Sequence, residues 1–335
     1  MMSLLLDWIL HDRLSANGEN DSSTCVLTDC MNNRVKGVHP LFPPQVVVAV
    51  KALACELPYT HGIPLSRFSI NEIHREVVAR GIIARVSGTT LWRWLHCDAI
   101  RPWHYRSWIF PRDPHFEEKA APVLDLYEGF WMGHPLGPAE YVLSADEKTS
   151  IQARIRKHKT LQPLPKNPMK VEHEYERGGS IAYMAAWDVH RGKIFGTVEP
   201  QTGIRPFGRL VDVVMGQEPY RSASRVFWIV DNGSSHRGMS AISRLQKAWP
   251  NAMLVHLPVH ASWLNQIEIY FSVIQRKVLT PNDFESLADL EDRLMKFQEH
   301  YEHVAKPFEW KFTRDNLTML MKKLSKHPEP IERAA

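Results

Sequence analysis

The sequence predicts a helical segment followed by an α/β layered domain. Three observations carry this. Residues 44–97 hold helix start and stop signals at helical spacing. From Tyr141 onward, short apolar and β-branched runs alternate with helical patterns, the order that builds a sheet with helices on its faces. A chain of 335 residues, 44% hydrophobic and 23% charged, supports about two domains with real cores. The net charge of +4 is small, so its distribution matters more than its size. Near the start, Leu4–Leu6 is the longest apolar run and Asp7 interrupts it. That is too short for a membrane span and lacks the basic start of a signal peptide, so a membrane or secreted protein is not expected. The cysteines Cys25, Cys30, Cys55 and Cys97 form no C-x-x-C pair. Reduced thiols are therefore expected, rather than disulfides or structural zinc.

Residues 1–40 form a poorly patterned arm, with turn formers concentrated over 15–25. Pro43 and Pro44 open the run 45–57, which reads as a helix that Pro58 stops. Ser69 is an N-cap for the next helix, with Glu72 at capping-box spacing and Gly81 as the stop. Ser87 opens a further helix containing Leu91, Trp92, Trp94 and Leu95. Two short helices joined over 81–88 have helix-turn-helix spacing. Residues 41–112 are thus read as a DNA-binding region, ending in a short extended wing over 103–110. Residues 113–138 read as a linker, with a helix over 116–127 and a Gly/Pro-rich bend at the domain boundary. The segment 139–305 then reads as strand 141–145 and a hairpin of 181–189 with 193–198 across Arg191-Gly192. After it come helix 207–215, strand 225–230, helix 236–249 and strand 252–256. Helices over 262–277 and 286–301 follow, and a C-terminal helix and tail occupy 306–335.

Three acidic residues stand at element ends. Asp146 follows strand 141–145, Asp231 follows the apolar run 226–230, and Glu268 lies in the helix after Pro258. A carboxylate ending a buried strand is costly unless something offsets its charge. One alone reads as a cap or turn residue. Three together point to a hard-cation site, because Mg²⁺ takes carboxylate oxygens and completes its shell with water and phosphate. Basic residues concentrate in two places. Arg154, Arg156, Lys157, Lys159, Lys166 and Lys170 lie within 151–170 with no acid among them, either as a solvated face or as a track for a DNA backbone. Residues 75–112 hold seven arginines against Glu76 and Asp98, and the arginine fork suits phosphate and guanine. Thr89, Thr90 and Arg93 lie on the second helix of the pair, the one that enters a major groove in this motif. Trp92, Trp94, Trp103 and Trp108 read as packing residues rather than base-stacking ones. Gly233-Ser234-Ser235 is no nucleophile elbow, and no P-loop lysine pattern occurs.

The local words then become recognisable. Asp231-Asn232-Gly233-Ser234-Ser235-His236 resembles the D-N-x-x-x-H signature of mariner-type transposases. Leu264-Asn265-Gln266-Ile267-Glu268 resembles their L-N-P-I-E signature, with Gln266 in place of the proline. Asp146-Glu147-Lys148-Thr149 is similar to the first-aspartate segment of the bacterial branch, the insertion-sequence 630 family. The words stand in the family's order, with 84 residues between the aspartates and 36 between Asp231 and Glu268. The resemblance runs from about Phe42 to Tyr301. It implies a ribonuclease H-like catalytic domain preceded by an α-helical helix-turn-helix DNA-binding domain. It also implies an Asp146, Asp231 and Glu268 triad holding two Mg²⁺ or Mn²⁺ ions. The implied activity is that of a metal-dependent DNA endonuclease and strand transferase. Such a transposase cuts at an element's terminal inverted repeats and joins the 3′-hydroxyl to target DNA. Double-stranded DNA is the implied partner, with a homodimer on it, in a cytoplasmic, nucleoid-associated location. Asn265 orients a carboxylate or phosphate, or makes a helix-start hydrogen bond. His236 contacts the scissile phosphate or caps the following helix. Glu147 is expected to point away from the metal set, because strand residues alternate. A helix-turn-helix protein without catalysis, or a nuclease on the same fold, are the other readings these residues leave open.

Overall fold

A computed structural model describes residues 42–105, 111–233 and 239–325. The described residues divide into two compact units, 42–105 and 111–325.

The first unit is helical. Helix α1 (Pro44–Ala54) starts on a proline, α2 (Ile70–Ala79) follows Ser69, and α3 (Gly88–Cys97) follows Ser87. The capping box forms as its spacing predicts: Glu72 N–H donates to Ser69 Oγ, and Ser69 N–H donates to the Glu72 carboxylate at 2.6 Å. Ser87 Oγ accepts from Thr90 N–H at 3.1 Å. Gly81, at φ +66°, ends α2 in the left-handed conformation that a side chain would resist. Val50, Leu53, Ile73, Val77, Leu91 and Leu95 interlock in one core. Residues 101–105 form no strand, and 106–110 of the expected wing lie outside the described residues.

The second unit is a sheet covered on both faces. Helix α4 (Phe116–Tyr127) leads into a small hairpin of β1 (Phe130–Trp131) and β2 (His134–Pro135). The sheet strands are β3 (Glu140–Ile155), β4 (Glu176–Asp188), β5 (Lys193–Glu199), β6 (Arg225–Val230) and β7 (Ala252–His256). They lie in the order β5-β4-β3-β6-β7. The first three are antiparallel neighbours, and β6 and β7 run parallel to β3. This is the mixed sheet that a ribonuclease H-like expectation requires. Helices α5 (Ile204–Met215) and α6 (Met239–Ala248) supply the crossovers to β6 and β7. A short 3₁₀ turn (Ser262–Leu264) precedes α7 (Ile267–Lys277), and α8 (Leu287–Glu302) and α9 (Arg314–Leu324) follow.

The strand alternation sorts side chains to two cores. Leu143, Ala145, Val226, Trp228 and Val230 pack with α5. Val142, Trp187, Phe227 and Ile229 pack with α4, α7, α8 and α9. The helix expected to act as a linker therefore belongs to the sheet unit. Phe116, Ala120, Val123, Leu124 and Leu126 are buried in the core that the sheet shares with α9. An apolar stripe that wide has to be covered, and the sheet face is what covers it. The first strand is also longer than its apolar run, because the antiparallel partner β4 continues pairing past Asp146 to Ile155.

Candidate active site

The register of the parallel pair β3 and β6 sets Glu140 against Arg225 and continues to Ser144 against Ile229. Continued two residues past that pair, the register sets Asp146 level with Asp231, which lies just beyond the end of β6, and the Asp231 charge acts on Asp146. Adjacent strands are about 4.8 Å apart, so the two residues are neighbours although far apart in sequence. Asp146 follows the alternation of Val142 and Ser144, toward the face that carries α7. Glu268 lies in the first turn of α7. The three acids named from sequence are thus gathered at one end of the sheet.

Asp146 is 8% exposed. Its Oδ1 accepts the Glu147 N–H at 2.8 Å, and its Oδ2 accepts from Asn265 Nδ2 at 3.3 Å. Burial first, and then the charges of Asp231, Glu147 and Glu268, push its carboxyl up to about 8, against the lowering effect of the Glu147 N–H. Glu147 is pushed up to about 7 by burial and by Asp231. It thus senses the site that strand alternation turned it away from. Glu268 keeps an open edge to solvent. The protein around it raises its carboxyl, Asp231 adds to this, and Lys148 opposes it. The turn after β6 is held by Gly233 N–H on Asp231 Oδ1 at 2.7 Å and by Asn232 Nδ2 on the Leu257 carbonyl at 2.5 Å.

Asn265 differs from its expected setting. The helix read over 262–277 breaks at Asn265, whose backbone is extended (φ −81°, ψ 114°) between the 3₁₀ turn and α7. Asn265 is therefore not a helical turn below Glu268. Its side chain, fully buried, crosses to β3, where Nδ2 donates to the Ala145 carbonyl at 3.0 Å as well as to Asp146. Its backbone carbonyl also accepts the Glu268 N–H at 3.2 Å. Tyr127 stitches the same junction, donating to the Leu264 carbonyl at 2.8 Å and accepting from Gln266 N–H at 3.3 Å. Ser144, which bonds to Asn265, and Tyr127 were not legible as site residues. Neither falls in a motif, and only the packing of α7 on β3 makes them neighbours. His236 lies outside the described residues.

The donor set suits hard divalent cations: it is all oxygen and short of positive charge. Among the described residues no three acid, histidine or cysteine side chains gather tightly enough to enclose one ion. The protein groups therefore do not close a cage, and water and phosphate oxygens complete such a shell.

The basic residues divide by setting. Thr89 and Arg93 are exposed on α3, whereas Thr90 is half-buried and its hydroxyl lies 2.9 Å from Ser87 Oγ within the cap. Trp92, expected to pack inside, is 46% exposed and stacks on His96 at 4.6 Å. The reason is spacing: Leu91 and Leu95 take the buried face, so Trp92 falls outside it. In the sheet unit, Lys157 and Lys159 are exposed. Arg156 instead donates to the backbone carbonyls of Glu172, Glu174 and Asn282. Arg154 lies over the Tyr175 ring at 4.5 Å, and its backbone N–H donates to Asn282 Oδ1 at 2.8 Å. These two arginines hold the loops beside β3, which narrows the expectation that all four face DNA.

Among the described residues no helix is long and apolar enough to cross a membrane. No curated protein sequence matches the chain. Two solved structures are similar to it. The Mos1 strand transfer complex is 13% identical with a TM-score of 0.50, covering 97% of this chain and 94% of that one. A pre-cleavage Mos1 transpososome is 14% identical with a TM-score of 0.50 over the same shares. At that identity the likeness is one of fold, the ribonuclease H-like arrangement. Residues 141–291, which contain all three acids, match the family described as DDE superfamily endonuclease.

Proposed function

We propose that this chain is a mariner-type DNA transposase of the bacterial, insertion-sequence 630 kind, acting on the DNA of the cell that carries it. The observation that carries the reading is the register-matched pair Asp146 and Asp231 with Glu268 on the adjoining helix. Bound Mg²⁺ or Mn²⁺, two ions, supplies the Lewis acidity that activates a water or 3′-hydroxyl and stabilises the leaving oxygen. Asp146, Asp231 and Glu268 would hold these ions. Asn265 steadies the Asp146 carboxylate. His236, four residues beyond Asn232 in its signature, contacts the scissile phosphate.

The helical unit reads the terminal inverted repeats. Thr89 and Arg93 contact base edges from α3, and Thr90 supports the helix start. Lys157 and Lys159 contact phosphates near the catalytic strand, while Arg154 and Arg156 hold that segment in position. The partner is double-stranded DNA at the element ends and at the target. A homodimer holds two ends together.

The test is strand cleavage by the purified chain in Mn²⁺ on DNA carrying the inverted repeats that flank its gene. Cleavage at the repeats followed by joining to target DNA is expected. Cleavage without joining would favour a nuclease. Specific binding without cleavage would favour a DNA-binding protein that has lost catalysis.

A further inference from the structure

Resting on the two-metal reading above, we propose that Ser144 is a positioning residue of the carboxylate site. Its hydroxyl sets which way the Asn265 amide faces, and so what Asn265 presents to Asp146. The hydrogen bonds run in one direction only. The Ile267 N–H can only donate, and it points at Ser144 Oγ at 2.9 Å. The proton of Ser144 then goes to Asn265 Oδ1. With its oxygen engaged there, the Asn265 amide nitrogen faces β3 and donates to the Ala145 carbonyl and to Asp146 Oδ2. Turning the amide over would set its oxygen against the Ala145 carbonyl, two acceptors with no proton between them. Ser144 and Asn265 are 0% and 1% exposed, so the orientation is decided by these partners rather than by bulk water.

Two consequences follow. Asp146 receives one protein donor on each oxygen, from Glu147 N–H and from Asn265. Its carboxylate is held in one rotation, with the remaining lone pairs open to cations. The same bonds tie Ile267, the first residue of α7, to β3. The helix carrying Glu268 is thereby set in register with the strand carrying Asp146. Ser144 lies two residues from Asp146 on the same strand face, yet touches it only through Asn265.

Mn²⁺ binding to the metal-stripped full chain, followed by electron paramagnetic resonance of the free ion, tests this without DNA or turnover. Ser144→Ala is expected to weaken Mn²⁺ binding about tenfold, the scale on which partners that orient metal ligands act. Asn265→Ala should weaken it at least as much. The double variant should lose less than the sum of the two single losses, because Ser144 acts in part through Asn265. Ser144→Cys, close in size but a weak donor, should fall between and serves if the alanine variant does not fold. A merely structural role would lower the metal-free Tm and leave the Mn²⁺ affinity of the folded chain unchanged. Wild-type affinity in Ser144→Ala or Ser144→Cys, or additive losses in the double variant, would overturn the role of Ser144. No Mn²⁺ binding by the unmodified chain would overturn the two-metal reading, and this role with it.

Discussion

Asp146 and Asp113 are both buried aspartates of the sheet unit, 8% and 7% exposed, in opposite surroundings. Asp113 accepts from Lys119 Nζ at 2.7 Å, the Val259 N–H at 2.9 Å and the His115 N–H at 3.0 Å. Burial opposes its charge, but these donors outweigh it and hold the carboxyl down at about 2. Asp146 also has two donors, yet it faces three other carboxylates and is pushed up to about 8. A charge that the fold satisfies is a structural part, here joining the segment after β7 to the start of α4. A charge that the fold crowds with like charge is at rest only when something from outside the chain neutralises it. The helical unit repeats the contrast. Glu56 and Glu76 are met by Arg80, and Asp98 by Lys51. Arg85 and Arg93 are exposed and make no ion pair among the described residues.

The largest effect that contrast predicts is on catalysis. Asp231→Asn keeps size but removes a negative charge from the crowded site, and a neutral amide oxygen is a weaker ligand for Mg²⁺. Strand cleavage should fall by orders of magnitude while gel-shift affinity for terminal DNA is kept, and Glu268→Gln should behave alike. Undiminished cleavage by Asp231→Asn in Mg²⁺ would break the assignment.

Stability against pH comes next, with a sign set by the direction of the shifts. Asp146 and Glu147 titrate higher in the folded chain than in the unfolded one. Their contribution is full below the ordinary carboxylate range and is lost as pH rises through about 7 and about 8. The metal-free chain should therefore lose Tm over that interval. Protons compete with cations for these oxygens, so Mg²⁺ should raise Tm more at about pH 9 than at about pH 6. Equal shifts at both would show that the crowded carboxylates are not where the ion binds.

Asp113 has the reverse sign. Its carboxyl is lowered on folding, so its contribution is present above the ordinary carboxylate range and lost as pH falls toward about 2. Asp113→Asn leaves Lys119 without its partner and should cost about 1–3 kcal/mol in chemical unfolding. Loss of metal binding without loss of stability would erase the distinction between the two aspartates.

Within the helical unit the contrast predicts a split. Arg93→Ala should weaken specific binding by about 1–3 kcal/mol if it reads a base edge, with no change in Tm. Lys157→Ala should weaken all sequences alike and reduce the salt slope. Equal, sequence-independent losses for both would remove the base-reading role. The smallest effect is that of Arg80→Ala, a surface pair whose loss should cost at most about 1 kcal/mol of stability and leave DNA affinity unchanged.

Local chemistry was legible in the chain. The capping box at Ser69 and Glu72, the buried strand 225–230 and the strand 252–256 lie where turn signals and apolar runs put them. These features depend on neighbours within a few residues, which a sequence displays directly. The acids Asp146, Asp231 and Glu268 were legible as a set because each sits in a recognisable local word. What brings them together was not. The pairing of β3 with β6 joins residues 85 apart, and the docking of α7 puts Asn265 on both Asp146 and Ser144. The same limit explains Trp92, whose exposure depends on which stripe of α3 faces the core. It also explains α4, where an apolar helix without a visible partner reads as a linker until the sheet covers it. Hydrogen bonds and burial between distant segments are decided by packing, because a carboxylate, an amide and a hydroxyl acquire direction only once the backbone holding them is fixed.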